Sequence, residues 1–315
     1  MAINGKTETL ILPEDYSSGR ITVYFEGHWE PSDILDARGT VDIPNGSKLH
    51  LDLSQVICDD LRRIRAVPSR LLANGISFSE RKLERTDFRE LSSICPHSVA
   101  ITSCIGLRPE QLEQLGELRS LEHLNLTGTL LEPLDFSWLL QFSTLRSLFL
   151  SGTGANSTCI AFLSDLRLLE DLQLAECPLA DRDVQAIWRC SSLRALNVGR
   201  CPITDAALKG IGYSRSLVSL SVPDTGISDG GIEVLVAEAL RVGQKLQSLT
   251  LRSCRVTDRA LVHLASLRSL TLIDLYGTEV TPEGASYLKK SLPECRIFVD
   301  RDKRGDSWKV GHQAD

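Results

Sequence analysis

No run of apolar residues in this chain reaches the roughly 18 that a helix needs to span a bilayer, so no membrane insertion is expected. The opening residues, MAINGKTETLILPED, lack the long apolar stretch of a secretory signal. That fits a chain that is not secreted, or a mature form whose signal has been removed. There is no surplus of positive charge either: 35 Lys and Arg against 41 Asp and Glu leave a net charge of −6. An acidic balance argues against nucleic acid as the main partner. The motifs of common chemistries are also missing. There is no glycine-rich phosphate loop, no His-Glu-x-x-His, and no cysteine–histidine spacing of a zinc site. The six histidines are scattered. Cys95-Pro96-His97 sets a thiol near an imidazole, but no acid or orienting residue accompanies it, so a structural role is the better reading. No catalytic residue, metal or cofactor is therefore expected, and no enzymatic activity.

What is present is periodicity. Read from each first leucine, the chain runs LEHLNLTGT, LRSLFLSGT, LEDLQLAEC, LRALNVGRC, LVSLSVPDT, LQSLTLRSC and LTLIDLYGT. The pattern is L-x-x-L-x-L-x-x-[T/C], with Val or Ile standing in for some leucines. The first leucines are Leu121, Leu145, Leu169, Leu193, Leu217, Leu246 and Leu270, so the step is 24 residues five times and 29 once. A fixed period of this size means a solenoid, whose units cannot bury their apolar faces alone and must stack.

One unit shows why. Leu193, Leu196 and Val198 alternate, as in a short strand with one buried face. Cys201 and Ile203 turn the chain inward. Thr204-Asp205 then gives a helix start, and Leu208 and Ile211 lie three apart on one helical face. Other units repeat this with Ser228-Asp229, Thr257-Asp258 and Thr281-Pro282, where proline suits the first helical position. The long unit, Leu217 to Leu246, keeps a helical period through Ile232, Leu235, Val236, Ala239 and Leu240. Its five extra residues lengthen the outer helix or build a docking feature on the convex side.

On these residues the chain resembles the leucine-rich repeat family. The T/C slot followed by I-T-D-x-x-L is similar to the cysteine-containing and ribonuclease-inhibitor-like subclasses, in the compact form of many bacterial members. The resemblance covers about two thirds of the chain. It implies an α/β solenoid, a curved horseshoe with a parallel β-sheet on the concave face, helices on the convex face, and an N-terminal β-rich cap.

Residues 1–45 do not fit the repeat. ETLILPED, RITVYFEG and GTVDIP read as short strands between turns, and form a cap or a small module; His28-Trp29-Glu30-Pro31 is its most distinctive local feature. Residues 46–300 form the solenoid: degenerate repeats over 46–95, with Leu49-x-Leu51 and Ile76-x-Phe78 as strands and Asp59–Ala66 and Asp87–Ile94 as helices, then regular repeats over 96–300. Residues 301–315 are a polar tail, in which Trp308 is placed to cover the last strand. Its Arg-Gly-Asp is too short a match to carry meaning. With 42% hydrophobic and 24% charged residues, the chain is bounded as one extended or two ordinary globular domains. Of the nine cysteines, Cys104, Cys177, Cys201 and Cys254 occupy the T/C slot that Thr129, Thr153, Thr225 and Thr278 fill elsewhere. They are read as core thiols in a reducing, cytoplasmic compartment, in preference to a disulfide between Cys177 and Cys201.

The residues between the leucines face the concave side. The first half of that face is small and bland, while its last three turns carry Arg252, Asp274, Tyr276, Arg296, Phe298 and Asp300. Tyr and Arg are the types that anchor protein interfaces, so this is the candidate partner-binding patch. The resemblance implies a non-catalytic scaffold, either a monomer or a subunit of a hetero-complex, that holds a protein partner. A second expectation is an adaptor that docks through its N-terminal region, as in F-box proteins with similar repeats, although nothing in 1–70 matches an F-box. A GTPase regulator similar to Ran's activating protein would need an acidic tail, and this tail is mixed. A carbohydrate receptor would want an aromatic ladder, and only Phe149, Tyr276 and Phe298 supply aromatics there.

The register is testable. Leu196→Asp should lose the cooperative unfolding transition in denaturant, because burying an unpaired charge costs several kcal/mol. A variant that melts like the parent chain would refute the register.

Overall fold

The computed structural model describes residues 7–15, 17–24, 33–44, 48–67, 75–131, 136–300 and 309–310. His28–Pro31, the Arg-Gly-Asp of the tail and Trp308 lie outside the described residues. The chain divides into two compact units, 1–149 and 150–315. None of the helices among the described residues is long and apolar enough to cross a membrane.

The first unit begins with β1 (Thr7–Ile11), β2 (Gly19–Tyr24), β3 (Asp33–Asp36), β4 (Thr40–Pro44) and β5 (Lys48–Leu53). β1 pairs antiparallel with β4, and β2 pairs antiparallel with both β3 and β5. At β5 the sheet changes character. After α1 (Gln55–Asp59), β5 pairs in parallel with β6 (Ile76–Ser79), and β6 with β7 (Ser98–Thr102). Beyond α2 (Pro109–Leu115), β8 (His123–Asn125) and β9 (Ser147–Phe149) extend the parallel stack. The expected helices at 59–66 and 87–94 are 3-10 turns, Leu61–Ala66 and Phe88–Ser93.

Asp52 holds the junction where antiparallel pairing gives way to parallel. It is buried, in register with Arg20 on one side and Ser77 on the other. Its carboxylate accepts from Ser77 Oγ at 3.0 Å, the Ser79 N–H at 3.1 Å, Arg81 Nη2 at 3.3 Å and Arg20 Nη2 at 3.5 Å. A buried charge needs this many donors to offset its lost hydration. His50 lies on the same strand, and its pKa is lowered by burial, an effect that the Asp52 charge partly opposes.

The second unit contains α3 (Ser157–Leu163), β10 (Asp171–Gln173), α4 (Asp181–Ile187), β11 (Ala195–Asn197) and β12 (Ser219–Ser221). α5 (Asp229–Val242), β13 (Ser248–Thr250), α6 (Asp258–Leu264), β14 (Leu272–Asp274), α7 (Pro282–Ser291) and β15 (Arg296–Phe298) follow. β10 to β15 are all parallel neighbours, each three residues long with a buried aliphatic at the centre. β16 (Lys309–Val310) pairs antiparallel with β15. α5 spans 14 residues where α4 and α6 span 7, so the extra residues of the long repeat are an extension of this helix, ended by Gly243 in the left-handed region. The helix expected through Leu208 and Ile211 is instead two 3-10 turns, Asp205–Leu208 and Ile211–Tyr213, parted by Gly210 at φ +86°. Buried Trp188 donates its Nε1–H to the Ala207 carbonyl at 2.8 Å, which takes an acceptor that a continued helix would use.

Two polar ladders run between turns. In the first, the Asp that opens each helix or 3-10 turn accepts twice from the next turn's cap residue. Asp181 accepts from the N–H and the hydroxyl of Thr204, both at 2.7 Å. Asp205 accepts from those of Ser228, both at 2.6 Å; Asp229 from those of Thr257, at 2.8 and 2.7 Å; and Asp258 from those of Thr281, at 2.9 and 2.6 Å. Each hydroxyl also accepts from an N–H at the start of its own helical turn. Asp at the cap could accept but not donate, which explains Ser or Thr there. The carboxylate needs space. A Cβ on Gly231 would collide with Asp205, and one on Gly284 with Asp258; the equivalent residues in the other turns are Ala207 and Ala260.

In the second ladder, the T/C slot serves the last carbonyl of each strand segment. The Cys177, Cys201 and Cys254 thiols donate to the Leu150, Leu174 and Val222 carbonyls of the preceding turn at 3.1–3.2 Å. Thr153, Thr225 and Thr278 instead donate to Leu150, Val222 and Leu275 within their own turn. The Leu150 and Val222 carbonyls thus receive both a thiol and a hydroxyl. Cysteine and threonine interchange because each is a small side chain with one donor at the right height.

Asp205→Ala removes one acceptor pair and leaves the Ser228 N–H and hydroxyl short of a partner. Equilibrium denaturation should show a loss of about 1–3 kcal/mol, with Asp205→Asn losing less.

Candidate functional site

β13, β14 and β15 present a grid of side chains flanking their buried centres. Register places Ser248, Leu272 and Arg296 side by side, and Thr250, Asp274 and Phe298 likewise. Arg252, Tyr276 and Asp300 follow two residues further along. The structure brings all six sequence-predicted residues together. Arg252 donates through Nη2 and Nε to Asp274 Oδ2 at 2.9 and 3.3 Å. Its guanidinium lies 5.3 Å from the Tyr276 ring centre. Tyr276 stacks on Phe298, with centroids 6.3 Å apart and planes 30° apart. Arg296 covers the Phe298 ring at 5.6 Å. The result is a four-tier stack of cation, ring, ring and cation. Two acids brace it: Asp274 Oδ1 accepts the Tyr276 N–H at 3.0 Å, and Asp300 Oδ2 accepts the Gly277 N–H at 2.7 Å.

The stack is accessible and ordered at once. The Arg252 side chain is 53% exposed and Asp274 only 15%, so the acid is the fixed anchor and the guanidinium the outward surface. Stacked guanidinium groups keep their in-plane N–H donors free while one face is held by a ring. Sequence reasoning missed Leu272, which sits half-buried beside Arg296 and adds apolar surface to the patch. Its place in the L-x-x-I stretch was the available signal.

Elsewhere on the second unit, Arg200 bridges Glu176 at 2.6 Å and Asp224 at 3.4 Å. These three residues occupy a left-handed backbone slot, at φ 57°, 60° and 53°, that Gly152 and Gly277 fill in other turns. The pairs are well exposed and contribute little stability. On the first unit, His123 Nδ1 lies 2.9 Å from Ser147 Oγ, an exposed pair that the sequence reading did not single out. Cys95, the thiol nearest His97 in sequence, donates to the Ser92 carbonyl at 3.0 Å. No group of three or more metal-ligating side chains occurs among the described residues.

The thiols divide by environment. All nine are free; eight are buried, and Cys95 is exposed. Burial pushes Cys190, Cys201 and Cys295 up to about 11 and Cys58 up to about 12. Cys104, Cys159, Cys177 and Cys254 are raised by the same loss of hydration. Thiolate is the reactive form, so these groups are inert packing residues in the folded chain.

The geometry defines a class: a solenoid of short parallel strands returning through helices, with a cysteine or threonine closing each turn. The family model described as Leucine Rich repeat matches residues 189–212, one full period. No curated protein matches the sequence. Among solved structures, internalin C2 from Listeria monocytogenes is similar with a TM-score of 0.51 and 18% identity, covering 68% of this chain and 84% of that one. At that identity the likeness speaks for the fold alone. Residues 189–212 are a leucine-rich repeat, and the fold is that of a leucine-rich repeat solenoid.

Thiol titration with an aromatic disulfide at pH 8 should show one fast-reacting cysteine, identified as Cys95 by peptide mapping. The other eight should react only on unfolding, since burial shields each of them and raises its pKa; for Cys190, Cys201 and Cys295, at about 11, roughly one part in a thousand is ionised at that pH.

Proposed function

We propose that this chain is a non-catalytic scaffold, in the cytoplasm, that binds a protein partner on the concave face of its sheet. Arg252, Asp274, Tyr276, Arg296, Phe298 and Asp300 form the contact. The observation that carries this reading is the preassembled cation–ring stack. Side chains already ordered by mutual stacking lose little entropy on association, and Tyr and Arg dominate binding hot spots. Leucine-rich repeat folds commonly serve as protein-interaction scaffolds, which agrees. The eight core thiols, each placed by packing, suit a reducing compartment.

A second reading is an adaptor whose N-terminal strands dock onto a larger assembly. It draws on Ile11 of β1, which is 76% exposed at the end of a strand in the small β1–β4 sheet.

Arg252→Ala combined with Tyr276→Ala should abolish partner capture from the native source, read by cross-linking and mass spectrometry, while the thermal midpoint barely moves. Surface changes of this kind stay within about 0.5 kcal/mol per site. Cross-links from a dominant partner should fall within 252–301; cross-links confined to residues 1–70 would favour the adaptor.

A further inference from the structure

The polar groups of the patch are unequally satisfied. Asp274 holds three donors, two from Arg252 and one from the Tyr276 backbone. Asp300 holds the Gly277 N–H. Arg252 has its carboxylate. Arg296 is different: it is exposed, its guanidinium rests on Phe298, and no carboxylate lies within ion-pair range of it among the described residues. The cation–ring contact, 5.6 Å from the guanidinium carbon to the ring centre, holds the head group beside Phe298 and leaves its N–H donors to the solvent side. A planar fork of this kind matches a carboxylate in two-point contact, a geometry an ammonium cannot reproduce.

Beside the fork lies apolar surface. Leu272 is the register neighbour of Arg296, and Phe298 is two residues along the same strand. Two residues of extended chain span about 6.6 Å. A partner segment running over the outward face of β15 can therefore set a carboxylate on Arg296, beside Leu272, and an apolar side chain against the half-buried Phe298 if the two are two positions apart.

We infer that the patch takes an extended acidic peptide segment in which Asp or Glu stands two residues from a large apolar side chain, the carboxylate pairing with Arg296. This rests on the patch being the binding face and specifies what it binds. The overall charge of −6 sharpens the point. An acidic segment is repelled by the chain as a whole, so capture requires a local cation such as Arg296, which has no ion-pair partner among the described residues.

The test is selection of a displayed random-peptide library on the full-length protein, followed by synthesis of enriched clones and binding by fluorescence anisotropy. Clones should share Asp or Glu two positions from Leu, Ile or Phe. Changing that acid to its amide, or Arg296→Lys in the protein, should each weaken binding about tenfold, and the two changes together should weaken it no further. Raising salt should weaken the acidic clones as well. Clones that lose binding to the Arg252→Ala, Tyr276→Ala variant yet carry no acid, or are indifferent to Arg296→Lys, would overturn the carboxylate pairing and leave the patch as a binding face. Clones that gain more than tenfold on exchange of the acid for phosphoserine would reassign the site to phosphopeptides and overturn it too. Absence of enrichment, or equal binding to the double variant, would overturn both this inference and the reading it rests on.

Discussion

A strand of three residues, such as Ala195–Asn197, buries one side chain and can satisfy its backbone only through the turns on either side. That dependence governs the second unit. Leu196 is packed because Leu172 and Leu220 are its register neighbours above and below. The polar groups obey the same rule. The Thr204 hydroxyl completes its own 3-10 turn by accepting and completes the previous one by donating to Asp181. The Cys201 thiol closes its own turn with its small bulk and donates to a carbonyl of the turn before. No turn is a finished object, because each carries a donor whose acceptor lies one period back. A change at one rung is therefore felt as an unsatisfied group in its neighbour, where desolvation makes it costly.

This is why so much of the fold could be read from the sequence. The alternating aliphatics set the strands, the hydroxyl-Asp pairs set the starts of the helical turns, and the constant period set the pairing. Expectation failed where a local competitor intervened. The helix through Leu208 and Ile211 breaks because Gly210 takes a left-handed conformation and Trp188 captures the Ala207 carbonyl. Neither event has a periodic signature. The segments over 61–66 and 88–93 tightened to 3-10 turns, a distinction that apolar spacing alone does not carry. The Asp52 junction was invisible for another reason. Its donors come from Arg20 on β2 and from Ser77, Ser79 and Arg81 on and just beyond β6, and no short motif joins the two segments to Asp52.

The inter-turn carboxylate ladder was half visible. The hydroxyl-Asp pair stood out as a helix start, which is a reading within one turn. Its other half lies across turns, in the small residue three places after each cap: Ala207, Gly231, Ala260 and Gly284. Glycine in a helix ordinarily costs stability relative to alanine. Its presence at 231 and 284 is explained by the neighbouring carboxylate, which occupies the volume a Cβ would need. Reading the cap together with that third residue would have revealed the ladder before any coordinates.

The candidate site differs from the rest of the face in what holds it in place. On β10 to β12 the outward positions are Gln173, Asn197 and Ser221, then Ala175, Gly199 and Pro223, and they are constrained by close approach: a Cβ on Gly199 would sit 2.6 Å from the Pro223 ring. On β13 to β15 the same positions carry Asp274, Phe298, Arg252 and Tyr276, which with Arg296, two residues before Phe298, are ordered by one another. Nothing in the stacking of turns demands them, since the buried centres Leu249, Ile273 and Ile297 already form the core contacts. Where the fold leaves a position open, small polar residues suffice, as Ser221 and Thr250 show. A run of large cationic and aromatic residues at such positions agrees with the binding role proposed for the patch. Sequence revealed that departure by residue type, and the structure adds the asymmetry within it: among the described residues, Arg252 is held by Asp274 and Arg296 by a ring alone.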